Sequence, residues 1–183
     1  MGLMGHNNGP TMEGGTSWRK HCWTAAREVL LPTLPIEVVR NRVRRAKELG
    51  LDYKTYASVR AQTGHDVVAF LFSSNALRVR ALSPVIPMAE VAKLAAIAGA
   101  GRIGLAVAPL SPSLLASNAV LDATHPAPHV LLPFPAMAAA IRDILGKTPG
   151  DRVVLVGDAP LERDWCAAGR LAAYLPADRY FAV

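Results

Sequence analysis

The sequence predicts an α/β fold, a parallel sheet flanked by helices on both faces, behind an N-terminal three-helix segment. Three observations carry this. Val67-Val-Ala-Phe-Leu-Phe72 and Val153-Val-Leu-Val156 are unbroken apolar runs of strand length, and Ile103-Gly-Leu-Ala-Val-Ala108 is a third. Runs without polar alternation read as strands buried on both faces, which is how strands sit in a parallel sheet. Stretches with helical spacing separate the runs, and strand alternating with helix is the pattern of crossover-connected parallel strands.

Length and composition are consistent with this. The 183 residues suit one domain of ordinary size with a small appendage, and 51% hydrophobic residues supply a core and exclude wholesale disorder. No apolar run reaches the roughly 18 residues that a membrane span needs. The start, Met1-Gly-Leu-Met-Gly-His6, lacks the basic and then apolar regions of a secretory signal. Cys22 and Cys166 lie far apart and read as free thiols of a reducing compartment, so a cytoplasmic location is expected.

Charge is uneven. Between Ser17 and Thr63 stand ten basic and four acidic residues, which account for the whole net charge of +6. The remainder is neutral. Such a split predicts two functional regions, one of them facing an acidic partner, protein or nucleic acid, and no membrane.

Residues 1–16 are rich in Gly and Asn and read as a flexible leader. His6 has no partner at metal-ligand spacing. Ser17 can cap a helix from Trp18 to about Leu31, and Pro32 and Pro35 break it. A second helix runs from Ile36 to Leu49, with Ile36, Val39, Val43 and Ala46 on one face and Arg40, Arg44, Arg45 and Lys47 on much of the rest. Gly50 suits a left-handed cap. Asp52 caps a third helix, Tyr53 to about Gln62, closed by Gly64. Residues 17–64 are thus expected to form a basic three-helix module, and 65–183 the α/β domain.

Within the module, Ala46 to Val59 has the look of a helix-turn-helix. In that motif the second helix enters the DNA major groove, here offering Lys54, Thr55, Ser58 and Arg60. Any two helices joined through Gly-Leu-Asp make the same pattern, so a solvated basic face or a docking face for an acidic protein stands beside it. The candidate partner-binding residues are Arg40, Arg44, Arg45, Lys47, Lys54 and Arg60.

In the α/β region the first strand ends in Ser73-Ser74-Asn75. Met88–Ala98 reads as a helix, 103–108 as a strand, Pro112–Ser117 as a helical turn and 119–123 as a short strand. His125 to Pro135 holds four prolines and is expected to be a loop, which argues against His125 and His129 sharing a metal. Ala136–Leu145 is a helix, 153–157 a strand and Leu161–Ala168 a helix; Arg170–Val183 either continues that helix or forms an edge strand near 172–175. Right-handed crossovers place the strand ends 72–75, 108–111 and 157–158 along one edge, where open α/β sheets put their ligand chemistry.

From Val67 to about Leu175 the order of pieces resembles the haloacid dehalogenase (HAD) superfamily, whose Rossmann-like domain mostly houses phosphatases. The strand and Ser74-Asn75-Ala76-Leu77 stand where that family has its nucleophile strand. Helix 88–98 and strand 103–108 resemble its second motif, Leu132-Pro133-Phe134-Pro135 its third, and Val153 to Gly169 its fourth, with acidic residues after a Gly-Asp turn. The resemblance implies the fold and argues against the usual activity. Aligning Asn75-Ala-Leu77 with the family's Gly-Thr-Leu puts Phe72 at the aspartate nucleophile and Ser74 at the aspartate acid. The phosphate-neutralising lysine falls on Leu132, and the second-motif hydroxyl would have to come from Ser111. Of the acidic set that would hold Mg²⁺, Asp158 and Asp164 remain. Asp158 and Glu162 can also simply cap the following helix and suit its dipole.

Three functions follow as expectations. The first is a non-catalytic binding or regulatory protein, a degenerate HAD-like domain whose basic N-terminal helices engage an acidic partner, with no cofactor. The second is DNA binding through helices 35–63. The third is an enzyme of altered chemistry, hydrolase- or phosphatase-like, with Ser74, Asp158 and Asp164 catalytic and Mg²⁺ needed only in that case. Ser73, Ser74, Asn75 and Asp158 are the ligand-binding candidates. A ligand-handling role requires the 72–75 loop and Asp158 to meet at an open cleft, and Phe72 with Leu132 filling that place would end the enzyme reading.

Overall fold

A computed structural model describes residues 34–129 and 131–182. The leader, His6, the helix expected over 18–31 with its basic residues, and Cys22 lie outside them. The chain divides into two compact units, Met1–Val39 and Arg40–Val183. In the first, Leu34 and Pro35 lead into helix α1 (Ile36–Glu48). The remainder of that helix and everything after it belong to the second.

Gly50 ends α1 in the left-handed region at φ +65°, and Leu51 N–H closes the turn on the Ala46 carbonyl at 2.9 Å. Asp52 then accepts the Thr55 N–H at 2.9 Å and starts α2 (Tyr53–Thr63), which Gly64 stops at φ +75°. The alternating region follows: β1 (Ala69–Ser73), α3 (Met88–Ala95), β2 (Gly101–Ala106), α4 (Pro112–Leu115), β3 (Ala123–Pro126), α5 (Phe134–Leu145), β4 (Val153–Gly157), α6 (Arg163–Gly169), β5 (Ala173–Pro176) and α7 (Ala177–Phe181). The five strands form one parallel sheet in the order β3-β2-β1-β4-β5. The three runs that predicted buried strands are the three interior ones; every residue of β1 and β4 is buried, and the last three of β2.

Two elements differ from expectation. The short strand is at 123–126, not 119–123, and takes in His125 and Pro126 from the stretch expected to be a loop. β3 is an edge strand, paired only to β2, so a proline can sit there without removing a ladder bond on its outer side. After β5 the chain turns into α7, which had no apolar repeat to announce it. Its Ala177 and Tyr180 are buried.

Successive residues of a strand point to opposite faces. Phe70, Phe72, Val154 and Val156 therefore face one core layer with Leu49, Tyr56, Val59, Leu94 and Tyr180. Leu71, Val153 and Leu155 face the other with Met137, Ile141, Leu145 and Trp165. Each such fully buried side chain contributes about 1.5–3 kcal/mol relative to exposure. Because Leu49, Leu51, Tyr56 and Val59 share the first layer, residues 40–64 are not a separate module but cover one face of the sheet. Tyr180 fastens the two ends of this unit. Its ring lies 5.6 Å from Phe70 and 5.7 Å from Phe72, its hydroxyl donates to the Leu49 carbonyl at 3.2 Å, and the Lys93 ammonium donates to its carbonyl.

Candidate functional site

Strand order reverses between β1 and β4, and this reversal is where doubly wound sheets open a crevice for ligands. Ser73, Ser74 and Asn75 leave β1 there, and Gly157 and Asp158 leave β4. Past β1 the chain makes a helical turn, with Leu77 N–H on the Ser73 carbonyl and Arg78 N–H on the Asn75 carbonyl, both at 3.0 Å. Arg78 ends that turn at φ +56°, and Arg80 pairs with Ser83 in a small hairpin. Past β4, Pro160–Glu162 forms a single 3-10 turn before α6.

The centre of this place is a carboxylate. Glu162 is 0% exposed. It accepts the Ser73 hydroxyl at 2.9 Å, the Asn75 amide at 2.8 Å, the Asp158 N–H at 2.8 Å and the Ala159 N–H at 3.3 Å. A buried carboxylate is tolerated only when its oxygens are hydrogen-bonded, and four donors meet that need. Gly157 makes room for it: a Cβ there would lie 2.6 Å from Glu162 Oε2 and 2.7 Å from the Tyr174 ring. The donors that could have held an external anion at the reversal thus hold one belonging to the chain.

The other expected site residues separate around this centre. Phe72 is fully buried, stacked 5.7 Å from Phe70 in the core layer beneath the sheet. Ser74 is 1% exposed, and its hydroxyl accepts the Val107 N–H at 3.1 Å, so it ties β1 to the end of β2 rather than facing solvent as a nucleophile. Asp158 is exposed. With Asn75, Arg78, Arg80 and Ser83 it lines an open cleft. The 73–75 loop and Asp158 therefore do meet, but across Glu162. Asp164, in the first turn of α6, is exposed and does not line that cleft. Leu132 lies exposed in the turn before α5, and neither it nor Phe72 lines the cleft, so the two do not fill that place as expected. His65 is at the amino end of the sheet, 3.6 Å from Asp151, and His129 Nδ1 accepts the Leu131 N–H. Among the described residues no three His, Cys, Asp or Glu side chains gather to hold a metal. No helix among them is long and apolar enough to cross a membrane.

The basic helices also sort themselves. Arg45 is not a surface cation. Its Nε donates to Asp66 at 2.9 Å, Nη1 to Glu48 at 3.1 Å and the Ala98 carbonyl at 2.9 Å, and Nη2 to the Val67 and Gly99 carbonyls at 3.1 and 2.9 Å. All five guanidinium donors are used. Burial alone would lower its pKa, but the bonds to Glu48 and Asp66 outweigh it and hold the charge. Thr55, expected on the exposed face, is 6% exposed and bonded to Asp52 and Arg179. Arg40, Arg44, Lys47 and Lys54 are exposed and Arg60 half-buried. Arg44 is bonded to Asn41 at 3.1 Å.

Glu162 was legible only as a helix cap. Its spacing from Asp158 and Ala159 signals the backbone bonds, whereas the bonds to Ser73 and Asn75 cross from another strand. The cleft arginines Arg78 and Arg80 carry no sequence signal at all.

Fold and site together define an α/β protein with a Rossmann-like parallel sheet whose switch point is closed by an internal carboxylate. In comparisons with protein-family models, curated proteins and solved structures, the chain matches none.

Proposed function

We propose that this is a non-catalytic binding or regulatory protein, a degenerate HAD-like domain that engages an acidic partner through its basic N-terminal helices. The observation that carries it is Glu162. A phosphoryl group entering between β1 and β4 would meet a buried negative charge that already occupies the Ser73, Asn75 and main-chain donors. Like charge at close range disfavours it, and Phe72 offers no nucleophile. The 3-2-1-4-5 strand order agrees with the Rossmann-like part of the resemblance.

The partner face is on α1. Arg40, Arg44 and Lys47 are spaced i, i+4, i+7, so they share one exposed stripe. DNA reading by α2 is less well supported. Thr55 is withdrawn into the fold and Arg45 is spent on internal bonds, which leaves Lys54, Ser58 and Arg60 for base contact.

The test has two arms. Incubated with Mg²⁺ and p-nitrophenyl phosphate, the chain is expected to turn nothing over above buffer. Mg²⁺-dependent turnover lost in Asp158→Asn would overturn the reading. In pull-downs from the native cell, the chain retains an acidic protein that Arg44→Glu/Lys47→Glu loses. Charge reversal is used because residues 40–63 supply Leu49, Tyr56 and Val59 to the core, and deleting them would remove that packing. Retention of duplex DNA at low salt, lost in Lys54→Ala, would favour the nucleic-acid reading instead.

A further inference from the structure

We propose that the chain carries a second site, a cleft between α6, β5 and α7 lined by Arg163, Arg170 and Arg179, which binds a small phosphate-bearing molecule. It stands independently of the partner reading and uses none of its residues.

By sequence, everything outside residues 17–63 is electrically neutral. The fold gathers three of those scattered basic residues around one concavity, with Cys166, Tyr174 and Pro176, and no acidic side chain lines it. Among the described residues no ion pair within 4.0 Å involves any of the three. The carboxylates that act on the cleft do so from its margins. Asp52 feels the charge of Arg179, and Tyr174 feels Glu162 and Asp158. Positive charge in excess of its neighbours along a low-dielectric wall concentrates anions. The depression, about 560 Å³, is broad and open to solvent, so a small anion can reach all three side chains.

Two of the guanidinium groups are held by contacts that leave donors over, and the third stands on a fixed backbone position. Arg163 lies over the Tyr174 ring at 5.1 Å. Arg179 Nη2 donates to Thr55 Oγ1 at 2.8 Å, and Thr55 is itself anchored to Asp52. Arg170 follows Gly169 at φ +50°, the left-handed residue that ends α6. Three forks around one cleft offer more donors than the two oxygens of a carboxylate can accept. A phosphate presents a third oxygen and more charge, and guanidinium forks match its geometry.

The test is calorimetric titration of the full chain with sodium pyrophosphate at low salt. Saturable binding is expected, weakened roughly tenfold in Arg170→Gly and in Arg163→Gln, since each removes a charge-assisted contact. Glycine suits the left-handed backbone at 170, so that variant keeps the fold. Arg44→Glu should bind pyrophosphate as the wild type does, which separates this site from the α1 face. The proposal is overturned by absence of saturable heat, by unchanged affinity in both cleft variants, or by an oligoglutamate peptide binding as tightly as pyrophosphate.

Discussion

Ser73 Oγ donates to Glu162 Oε2 at 2.9 Å, joining the end of β1 to the turn after β4 across a chain separation of 89 residues. The bond lies at the point where the strand order reverses. It seals the floor of the crevice with a buried carboxylate, while Asn75 and Asp158 still line an open cleft above it.

Removing that carboxylate should be costly. Glu162→Ala strands the Ser73 hydroxyl, the Asn75 amide and two main-chain N–H groups, and a loss of about 3 kcal/mol is expected. Glu162→Gln keeps one acceptor oxygen and should lose about half as much. Urea unfolding of both variants checks the order. Equal stability of Glu162→Ala and wild type would refute the role given to this side chain.

Arg45 should behave as a structural residue. Arg45→Ala frees two carboxylates and three carbonyls, at an expected cost of about 3 kcal/mol. Arg45→Lys keeps the charge but cannot span the five acceptors, so it should recover less than half. Thermal denaturation reads this directly. A variant that folds as stably as wild type but loses its partner would return Arg45 to the binding face.

At Gly157 the constraint is space. An added methyl would meet Glu162 and the Tyr174 ring at once, so Gly157→Ala should lose about 2 kcal/mol by overpacking. Chemical denaturation measures it, and a neutral result would show that Tyr174 can move aside.

Acid stability should depend on Asp52. Bonds from the Thr55 hydroxyl and then the Thr55 N–H hold its pKa below that of an ordinary aspartate, against a smaller opposing effect of burial. Its ionised form therefore stabilises the fold fully above the unfolded value of about 3.9, and that contribution is lost as pH falls through the lower folded value. Asp52→Asn still caps α2 but does not titrate. Melting temperatures measured downward from about pH 5 should fall less steeply in Asp52→Asn than in wild type. Parallel slopes would contradict this.

Cys166 should be a slow thiol. It is half-buried, and burial pushes its pKa up to about 11. At pH 8 only about one molecule in a thousand carries the thiolate. In a Cys22→Ser background, iodoacetamide should label Cys166 slowly in the native state and rapidly in denaturant. Fast native labelling would mean that the thiol is reached and ionised through the cleft it lines.

Much of the fold was legible because apolar patterning is local. The runs at 67–72 and 153–156 identify the central strands, Gly50 and Asp52 mark the turn between two helices, and the alternation of segments indicates a parallel sheet. β3 was placed a few residues early because prolines usually exclude strands, and only its position at the sheet edge permits one. The boundary expected at 64 is absent because Leu49, Tyr56 and Val59 are buried in the same core layer as Phe70 and Phe72, a grouping that no local pattern announces.

By itself the sequence determined which segments bury themselves and in what alternation, since the hydrophobic effect acts through spacing that can be read along the chain. Only the tertiary structure decided where the charges go. Glu162 meets Ser73, Arg45 meets Asp66 and the Gly99 carbonyl, and three separated arginines meet around one cleft, because polar partners are chosen by distance in space, and the crossovers of the sheet set those distances.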